Sequence, residues 1–151
     1  PQVPGNLGAR IHAALAHLRE QGYARQFALG TDSPTLPLDT LQRGLDALET
    51  HDSVLGPTWD GSFYLIGVRE PDPAVFDGVA WGSGLELIQT YGNLTGLGRT
   101  CATLPRWQEL DAPDDLPFLE GQVRTADYLR LKAILEEPLP PPPLAGPAAR
   151  P

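Results

Sequence analysis

Three aspartates lie next to predicted strands or a predicted helix, and their carboxylates could hold a metal ion. Asp32 comes directly after the apolar run 27–30 and is followed by turn-forming prolines. Asp60 precedes Gly61 and a second strand-like run, and Asp111 precedes a helix start. Open α/β sheets bind ligands at the carboxyl ends of their strands, and divalent cations are commonly shared between carboxylates and phosphates. The pattern therefore indicates a metal-phosphate site.

Each of these residues also has a purely structural interpretation. Asp32, followed by Ser-Pro, is suited to an Asx-type turn. Asp111 could cap the next helix, whose first turn would hold Asp114 and Asp115 as favourable charges. Asp60 and its glycine form a common turn dipeptide, so this pair alone is a weak signal.

Tryptophans are the second group of candidate ligand-binding residues. Trp81 is followed by Gly-Ser-Gly at 82–84, and glycines allow a backbone to approach a substrate closely. Trp81 and Ser83 are therefore substrate-binding candidates, whereas Trp107 is expected to cover the core. Cys101 lies in a strand-like run and is expected to be a small buried side chain, since the chain has one cysteine and no histidine near it in sequence.

A third candidate lies at the start of the chain. Gly5, Leu7 and Gly8 precede or open a predicted helix, whose exposed amides could receive an anion or the edge of a nucleotide. An ordinary helix N-terminus with Asn6 as its cap explains the same residues nearly as well.

Helical and strand-like patterns alternate along the chain. Apolar residues recur at helical spacing over 7–18, 38–48, 85–91 and 122–136, and strand-like runs occupy 26–30, 53–56, 62–68 and 99–104. This alternation predicts an α/β fold, a three-layer α/β/α arrangement with a mostly parallel sheet. The run 62–68 follows 53–56 so closely that it is the candidate for an antiparallel exception.

Length and composition limit the class of protein. The 151 residues are 41% hydrophobic, which suffices for one domain, assigned to 1–136, before a proline-rich and disordered tail at 137–151. Eleven Lys and Arg against 19 Asp and Glu give a formal charge of −8, which lacks the basic footprint of a nucleic-acid binder. No apolar stretch approaches the roughly 18 residues that span a bilayer. We therefore expect a cytoplasmic protein without nucleic-acid or membrane partners.

Six short motifs occur in an order that is typical of one protein family. They are Gly-Asn-Leu-Gly at 5–8, Gly-Thr-Asp-Ser-Pro-Thr-Leu-Pro at 30–37, Val-Leu-Gly-Pro at 54–57, Asp-Gly at 60–61 before Tyr-Leu-Ile-Gly at 64–67, Trp81, and Asp-Ala-Pro-Asp-Asp-Leu at 111–116. From residue 1 to about residue 118 the chain resembles the bacterial nucleotide-diphospho-sugar transferases of the arsenosugar-biosynthesis or selenodomain-associated glycosyltransferase type.

The resemblance implies a GT-A fold that binds a nucleotide sugar or nucleotide with Mg²⁺ or Mn²⁺. It implies Asp32 and Asp111 as metal ligands and Asp60 as the catalytic residue, in a loop near the acceptor or sugar. The implied substrate-binding residues are Gly5, Leu7, Gly8, Gly61, Trp81 and Ser83. The family has Asp where Glu109 stands, Asp where Asn6 stands and Gly where Ser62 stands. Relative to the family, we expect the chain to lack an opening strand and its basic nucleotide loop.

Three functional hypotheses follow. The first is a glycosyltransferase that uses a nucleotide-diphospho-sugar, inactive without the missing N-terminal segment. The second is a nucleotidyltransferase that joins a nucleoside monophosphate to a phosphorylated small molecule and releases pyrophosphate. The third is a non-catalytic interaction module, for which an open sheet edge would favour a homodimer.

Overall fold

Helices and strands alternate in the computed structural model, which describes residues 3–110 and residue 115. The elements are α1 (Leu7–Glu20), β1 (Gln26–Leu29), α2 (Leu38–Thr50), β2 (Ser53–Pro57), β3 (Phe63–Val68), a 3-10 helix (Pro73–Phe76), α3 (Glu86–Gly96) and β4 (Cys101–Thr103). Every helix and strand predicted before residue 105 is present, and the 3-10 helix is the added element. The predicted helix over 122–136, the tail and Asp111 lie outside the described residues.

The four described strands form one mixed sheet in the order β1-β3-β2-β4. β3 is antiparallel to β1 and β2, whereas β2 and β4 are parallel. β1, β2 and β4 consequently run in the same direction, and β3 is the antiparallel exception expected at 62–68. The physical reason is the short β2–β3 connection, because a parallel pair needs a crossover of a dozen or more residues.

Two hydrophobic cores cover the two faces of this sheet. On one face, Leu15 of α1 and Leu94 of α3 pack with Leu55 and Ile66 of the sheet. On the other face, Leu48 of α2 packs with strand residues that include Val54. Since neighbouring residues of a strand point to opposite faces, β2 contributes to both cores. The three-layer prediction is confirmed.

The ends of the elements follow local chemistry. Asn6 caps α1, and its Oδ1 accepts a hydrogen bond from the Ala9 amide at 2.9 Å. Pro37, the residue before α2, has an extended conformation. Within the described residues, no helix is long and apolar enough to cross a membrane.

Candidate functional site

The loops that follow β1, β2 and β4 meet at one edge of the sheet. The segment after β4 crosses this edge, since the Trp107 amide donates a hydrogen bond to the Pro57 carbonyl at 3.0 Å. The same segment reaches the loop after β1, where the Leu110 amide donates to the Asp32 carbonyl at 2.8 Å. The edge therefore brings residues that are distant in sequence next to Asp32.

Asp32 is exposed at this edge. Glu109 lies beside the end of β1, since a Cβ atom placed on Gly30 would be 3.1 Å from Glu109 Oε1. Ser33, directly after Asp32, is 8% exposed, and its hydroxyl has no hydrogen-bond partner among the described residues. Sequence reasoning treated Glu109 only as a departure from the family motif, because nothing in its spacing shows that the chain returns to β1.

Two carboxylates are compatible with a magnesium or manganese site that other ligands complete. Mg²⁺ is usually bound through one or two carboxylates together with water and substrate phosphates. Among residues 3–110 and 115, no three His, Cys, Asp or Glu side chains form a group that could hold a metal by themselves. A cation held here would need further ligands, such as water or phosphate oxygens. The predicted second ligand, Asp111, falls outside the described residues.

The loop between β2 and β3 is held by Asp60. Its Oδ1 accepts hydrogen bonds from the Thr58 hydroxyl and, at 3.1 Å, from the Ser62 amide. The Thr58 amide also donates to the Ser62 carbonyl at 3.1 Å. One carboxylate oxygen of Asp60 thus fixes the turn, which is the structural interpretation that the sequence left open.

Two glycines join this loop to the segment before α3. Gly61 has φ +93°, and a Cβ on it would lie 2.1 Å from the Gly84 carbonyl oxygen. Gly84 has φ +76°, and a Cβ on it would lie 2.8 Å from the Asp60 carbonyl oxygen. The Leu87 amide of α3 then donates to the Gly61 carbonyl at 3.1 Å. Only glycine allows this close backbone contact.

The contact forms one wall of a cavity of about 390 Å³, which we name the Trp81 pocket. Its lining residues are Leu7, Asp60, Ser62, Trp81, Gly82, Ser83, Gly84 and Glu86. The structure thus brings together four of the predicted site residues, Leu7, Asp60, Trp81 and Ser83, from three separate segments. The predicted residues Gly5, Gly8 and Gly61 are not among these lining residues.

Gly8 has a packing role instead. A Cβ on Gly8 would be 2.6 Å from the Phe76 Cβ and 2.9 Å from Trp81 Cζ2. α1 can approach the Trp81 ring because this position has no side chain. The ring of Trp81 also packs edge-on against Phe63, with ring centres 6.2 Å apart. Gly8 therefore acts on the site by positioning Trp81.

Ser83 and Glu86 support each other at the start of α3. Glu86 is 3% exposed, and its Oε1 accepts a hydrogen bond from the Ser83 amide at 2.9 Å. The Ser83 hydroxyl in turn accepts from the Leu85 amide at 3.2 Å. This arrangement is close to a capping box, and the Ser-x-x-Glu pattern at 83–86 is the sequence signal that could have identified Glu86. Glu86 Oε2 and Trp81 Nε1 are buried, and neither has a hydrogen-bond partner within the part of the chain that the structure describes.

A smaller apolar cavity of about 150 Å³ adjoins the Trp81 pocket. Both cavities are lined by Leu7, Ser62 and Trp81, and the smaller one extends to Leu29 and Gly30 of the β1 end. The two cavities together occupy the space between the Asp60 loop and the end of the strand that leads to Asp32.

An exposed cation–aromatic pair lies beside the Asp60 loop. The guanidinium carbon of Arg106 is 5.5 Å from the ring centre of Trp59, and Arg106 Nη1 donates to the Thr58 carbonyl at 2.8 Å. Trp59 is 67% exposed. Sequence spacing gives no sign of this pair, because its members are on loops after different strands.

Cys101 shows no feature of a nucleophile. It is half-buried in β4, and burial raises the pKa of its thiol above the usual value. A raised pKa lowers the fraction of reactive thiolate at neutral pH, in agreement with the expected structural role.

The fold is similar to that of a protein proposed to be a nucleotide-diphospho-sugar transferase. A solved structure from Desulfovibrio desulfuricans G20, of a protein proposed to be a nucleotide-diphospho-sugar transferase, matches with a TM-score of 0.73 and 28% sequence identity. The match covers 89% of this chain and 62% of that one, so this chain spans less than two thirds of its length. No curated protein matches the chain.

Residues 1–83, more than half of the chain, match the family described as "Uncharacterized protein conserved in bacteria (DUF2064)". The chain belongs to this family. The predicted resemblance to nucleotide-diphospho-sugar transferases is confirmed, whereas the narrower arsenosugar or selenodomain type stays a prediction.

Proposed function

We propose that this chain contributes the cation and acceptor sites of a glycosyltransferase that uses a nucleotide-diphospho-sugar as donor. The observation that carries the proposal is the exposed carboxylate of Asp32 after the carboxyl end of β1, where the chain also brings Glu109 back beside Gly30. The likeness to the Desulfovibrio protein supports the donor class. Because the chain spans part of that protein's length, the activity is proposed for the whole protein.

Asp32 and Glu109 are the described residues that would hold Mg²⁺ or Mn²⁺, with Asp111 as a further predicted oxygen ligand. A bound cation would neutralise the negative charge that develops on the departing diphosphate. Asp32 and Glu109 would fix that cation at the end of β1.

Asp60 is the proposed catalytic residue. In the transfer, the acceptor oxygen bonds to the anomeric carbon, while the bond from that carbon to the diphosphate oxygen breaks and its electron pair leaves with the diphosphate. The acceptor proton passes to Asp60. Since Asp60 Oδ1 holds the turn, the Oδ2 atom would take this proton, a role for general bases within hydrogen-bond reach of the acceptor.

The GT-A fold type, the cytoplasmic location and the homodimer belong to the same set of predictions from sequence. The experiment below tests only the binding of the nucleotide and the cation.

The first experiment is thermal denaturation with Mn²⁺ and each of UDP, GDP, ADP, CDP and dTDP. A ligand that binds only the folded state raises the melting temperature, so we expect a rise with one of these nucleotides that requires Mn²⁺. Asp32→Asn removes the charge and keeps the shape, and it should abolish the rise. The matched control is Asp77→Asn, which changes an exposed aspartate in another loop and should keep it.

A rise that persists in Asp32→Asn would overturn the assignment of Asp32. A wild-type protein that melts cooperatively without any nucleotide-dependent rise would contradict the proposal for this chain and favour the non-catalytic module. Analysis of products distinguishes the remaining alternative, because a nucleotidyltransferase releases pyrophosphate and a glycosyltransferase releases a nucleoside diphosphate.

A further inference from the structure

The lining of the Trp81 pocket carries negative charge without a compensating cation. Among the described residues that line it, the two ionisable side chains are Asp60 and Glu86, and none is Lys, Arg or His. Two carboxylates in one cavity repel a phosphate or carboxylate ligand and attract a positive group. The pocket therefore favours a positively charged ligand, whereas a site that binds a diphosphate directly through basic residues favours a negatively charged one.

Glu86 provides the second and independent observation. It is 3% exposed, and only one of its oxygens has a partner, the Ser83 amide. The other oxygen, Oε2, is buried and accepts no hydrogen bond in the described part of the chain. A buried carboxylate oxygen without a donor is costly, so a ligand group that donates a hydrogen bond and carries positive charge would stabilise it.

Trp81 offers a hydrogen-bond donor to a ligand, whereas Glu86 offers an acceptor. Its indole Nε1 is a buried donor without a partner among the described residues. A hydroxyl oxygen of a ligand can accept that hydrogen bond, while an ammonium group donates to Glu86. The cavity of about 390 Å³ lies within the range of small-molecule sites.

We infer that the Trp81 pocket binds a small amino alcohol or amino sugar without phosphate, which donates its ammonium hydrogens to Glu86 and is the acceptor of the transfer. The assignment as acceptor rests on the proposed function. The binding preference itself follows from the charges and unpartnered atoms of the pocket. Glu86 is then a specificity-determining residue, distinct from Asp60, which would receive the acceptor proton.

The test is isothermal titration of the full chain with D-glucosamine, D-glucose and D-glucose 6-phosphate, without metal and again with saturating UDP and Mn²⁺. We expect binding in the order glucosamine, then glucose, with no binding of the phosphate. Glu86→Gln keeps the size and the acceptor for the Ser83 amide but removes the charge. It should weaken glucosamine binding about tenfold and leave glucose binding within about twofold.

Two controls keep the test decisive. Glu20→Gln makes the same change of charge at the exposed end of α1 and should leave glucosamine binding unchanged. Should Glu86→Gln fail to melt cooperatively, Trp81→Phe is the second variant, because it keeps an aromatic ring and removes Nε1. That variant should weaken both glucosamine and glucose.

The outcomes separate this inference from the proposed function. Absence of glucosamine binding in both conditions, equal binding of glucose 6-phosphate, or unchanged affinity in Glu86→Gln would each overturn the inference. Glucosamine binding without any nucleotide-dependent rise in melting temperature would instead contradict the donor proposal and leave the amine-binding pocket in place.

Discussion

At the scale of single residues, the candidate site depends on a backbone contact as much as on side chains. Gly61 lies so close to Gly84 that a methyl group between them would overlap a carbonyl oxygen. This contact holds the Asp60 loop against the start of α3, where Ser83 and Glu86 are found. The shape of the Trp81 pocket thus depends on two positions that cannot carry a side chain.

The corresponding prediction concerns Gly61→Ala. The substitution combines a positive φ of +93° with a Cβ 2.1 Å from the Gly84 oxygen, so the backbone must move. A strained backbone conformation of this kind costs about 1–3 kcal/mol, and we expect at least that loss of unfolding free energy in urea denaturation. Asp60 and Glu86 should also move apart, with loss of any ligand affinity of the pocket.

Gly92→Ala is the matched control for this variant. Gly92 is in α3, and a Cβ on it would meet nothing within 4 Å. Replacement of a helical glycine by alanine typically stabilises by about 0.5–1 kcal/mol. Equal stability changes in the two variants would show that the close contact of Gly61 is not what constrains this position.

Part of the site at this scale could be predicted from sequence, and part could not. Asp32, Asp60, Trp81 and Ser83 are candidates from sequence because each adjoins an apolar run or a glycine, which is a local pattern. Glu86 had a local signal too, the Ser-x-x-Glu capping pattern. The proximity of Glu109 to Gly30 and the pairing of Trp59 with Arg106 depend on the return of the chain after β4, which no local pattern records.

At the scale of elements, the shortest strand is anchored by a polar network at its start. β4 has three residues, and the preceding Thr100 donates to Asp52 from its amide at 2.8 Å and from its hydroxyl at 2.7 Å. The Asp52 amide donates back to the Thr100 hydroxyl at 2.9 Å. The network joins the beginnings of the parallel strands β2 and β4.

This network predicts a pH dependence of stability. The hydrogen bonds from the Thr100 side chain and amide hold the pKa of Asp52 below its usual value. A carboxylate whose pKa is lower in the folded state stabilises the protein above its unfolded pKa, and this contribution is lost as the pH falls through the folded pKa. Stability should therefore decrease from pH 5 towards pH 2.

Thr100→Val isolates the contribution of the hydroxyl. It removes the largest cause of the lowered pKa, so the variant should be less stable than wild type at pH 7 and approach it in acid. Urea denaturation at pH 7 and pH 2.5 measures the difference, and Thr95→Val in α3 is a control with a hydroxyl bonded only to helix carbonyls. A stability gap that is the same at both pH values would contradict the assignment.

The elements were predicted from sequence more fully than their arrangement. Periodicity identified each helix and strand before residue 105, because an amphipathic pattern reflects one buried face. The position of β3 between β1 and β2 was not predicted, since strand order is decided by tertiary pairing. The 3-10 helix capped by Asp72 has four residues, which are too few to show a helical periodicity in the sequence.

At the scale of the whole molecule, the described residues form two cores that share one sheet. Leu55 belongs to the core under α1 and α3, and the adjacent Val54 belongs to the core under α2. A disturbance of one core therefore reaches the other through the same strands. This arrangement predicts a single cooperative unfolding transition for both faces.

The three tryptophans allow that prediction to be tested without altering the chain. Trp81 packs against the first core and Trp107 against the second, and 5-fluorotryptophan labelling gives one resonance for each of the three. The resonances of Trp81 and Trp107 should lose their folded signal at the same urea concentration, as expected for two-state unfolding. Leu15→Ala, in the first core only, should shift both midpoints together.

Leu15→Ala tests the coupling because the residue is 1% exposed, and a buried leucine-to-alanine change typically costs about 2–5 kcal/mol. Leu38→Ala is its control, since Leu38 is 82% exposed and its loss should move neither midpoint by much. If Leu15→Ala shifted the Trp81 midpoint and left that of Trp107 in place, the two faces would unfold independently. The shared sheet makes the opposite result the expected one, because α1 cannot leave its face without exposing the strands that also support α2.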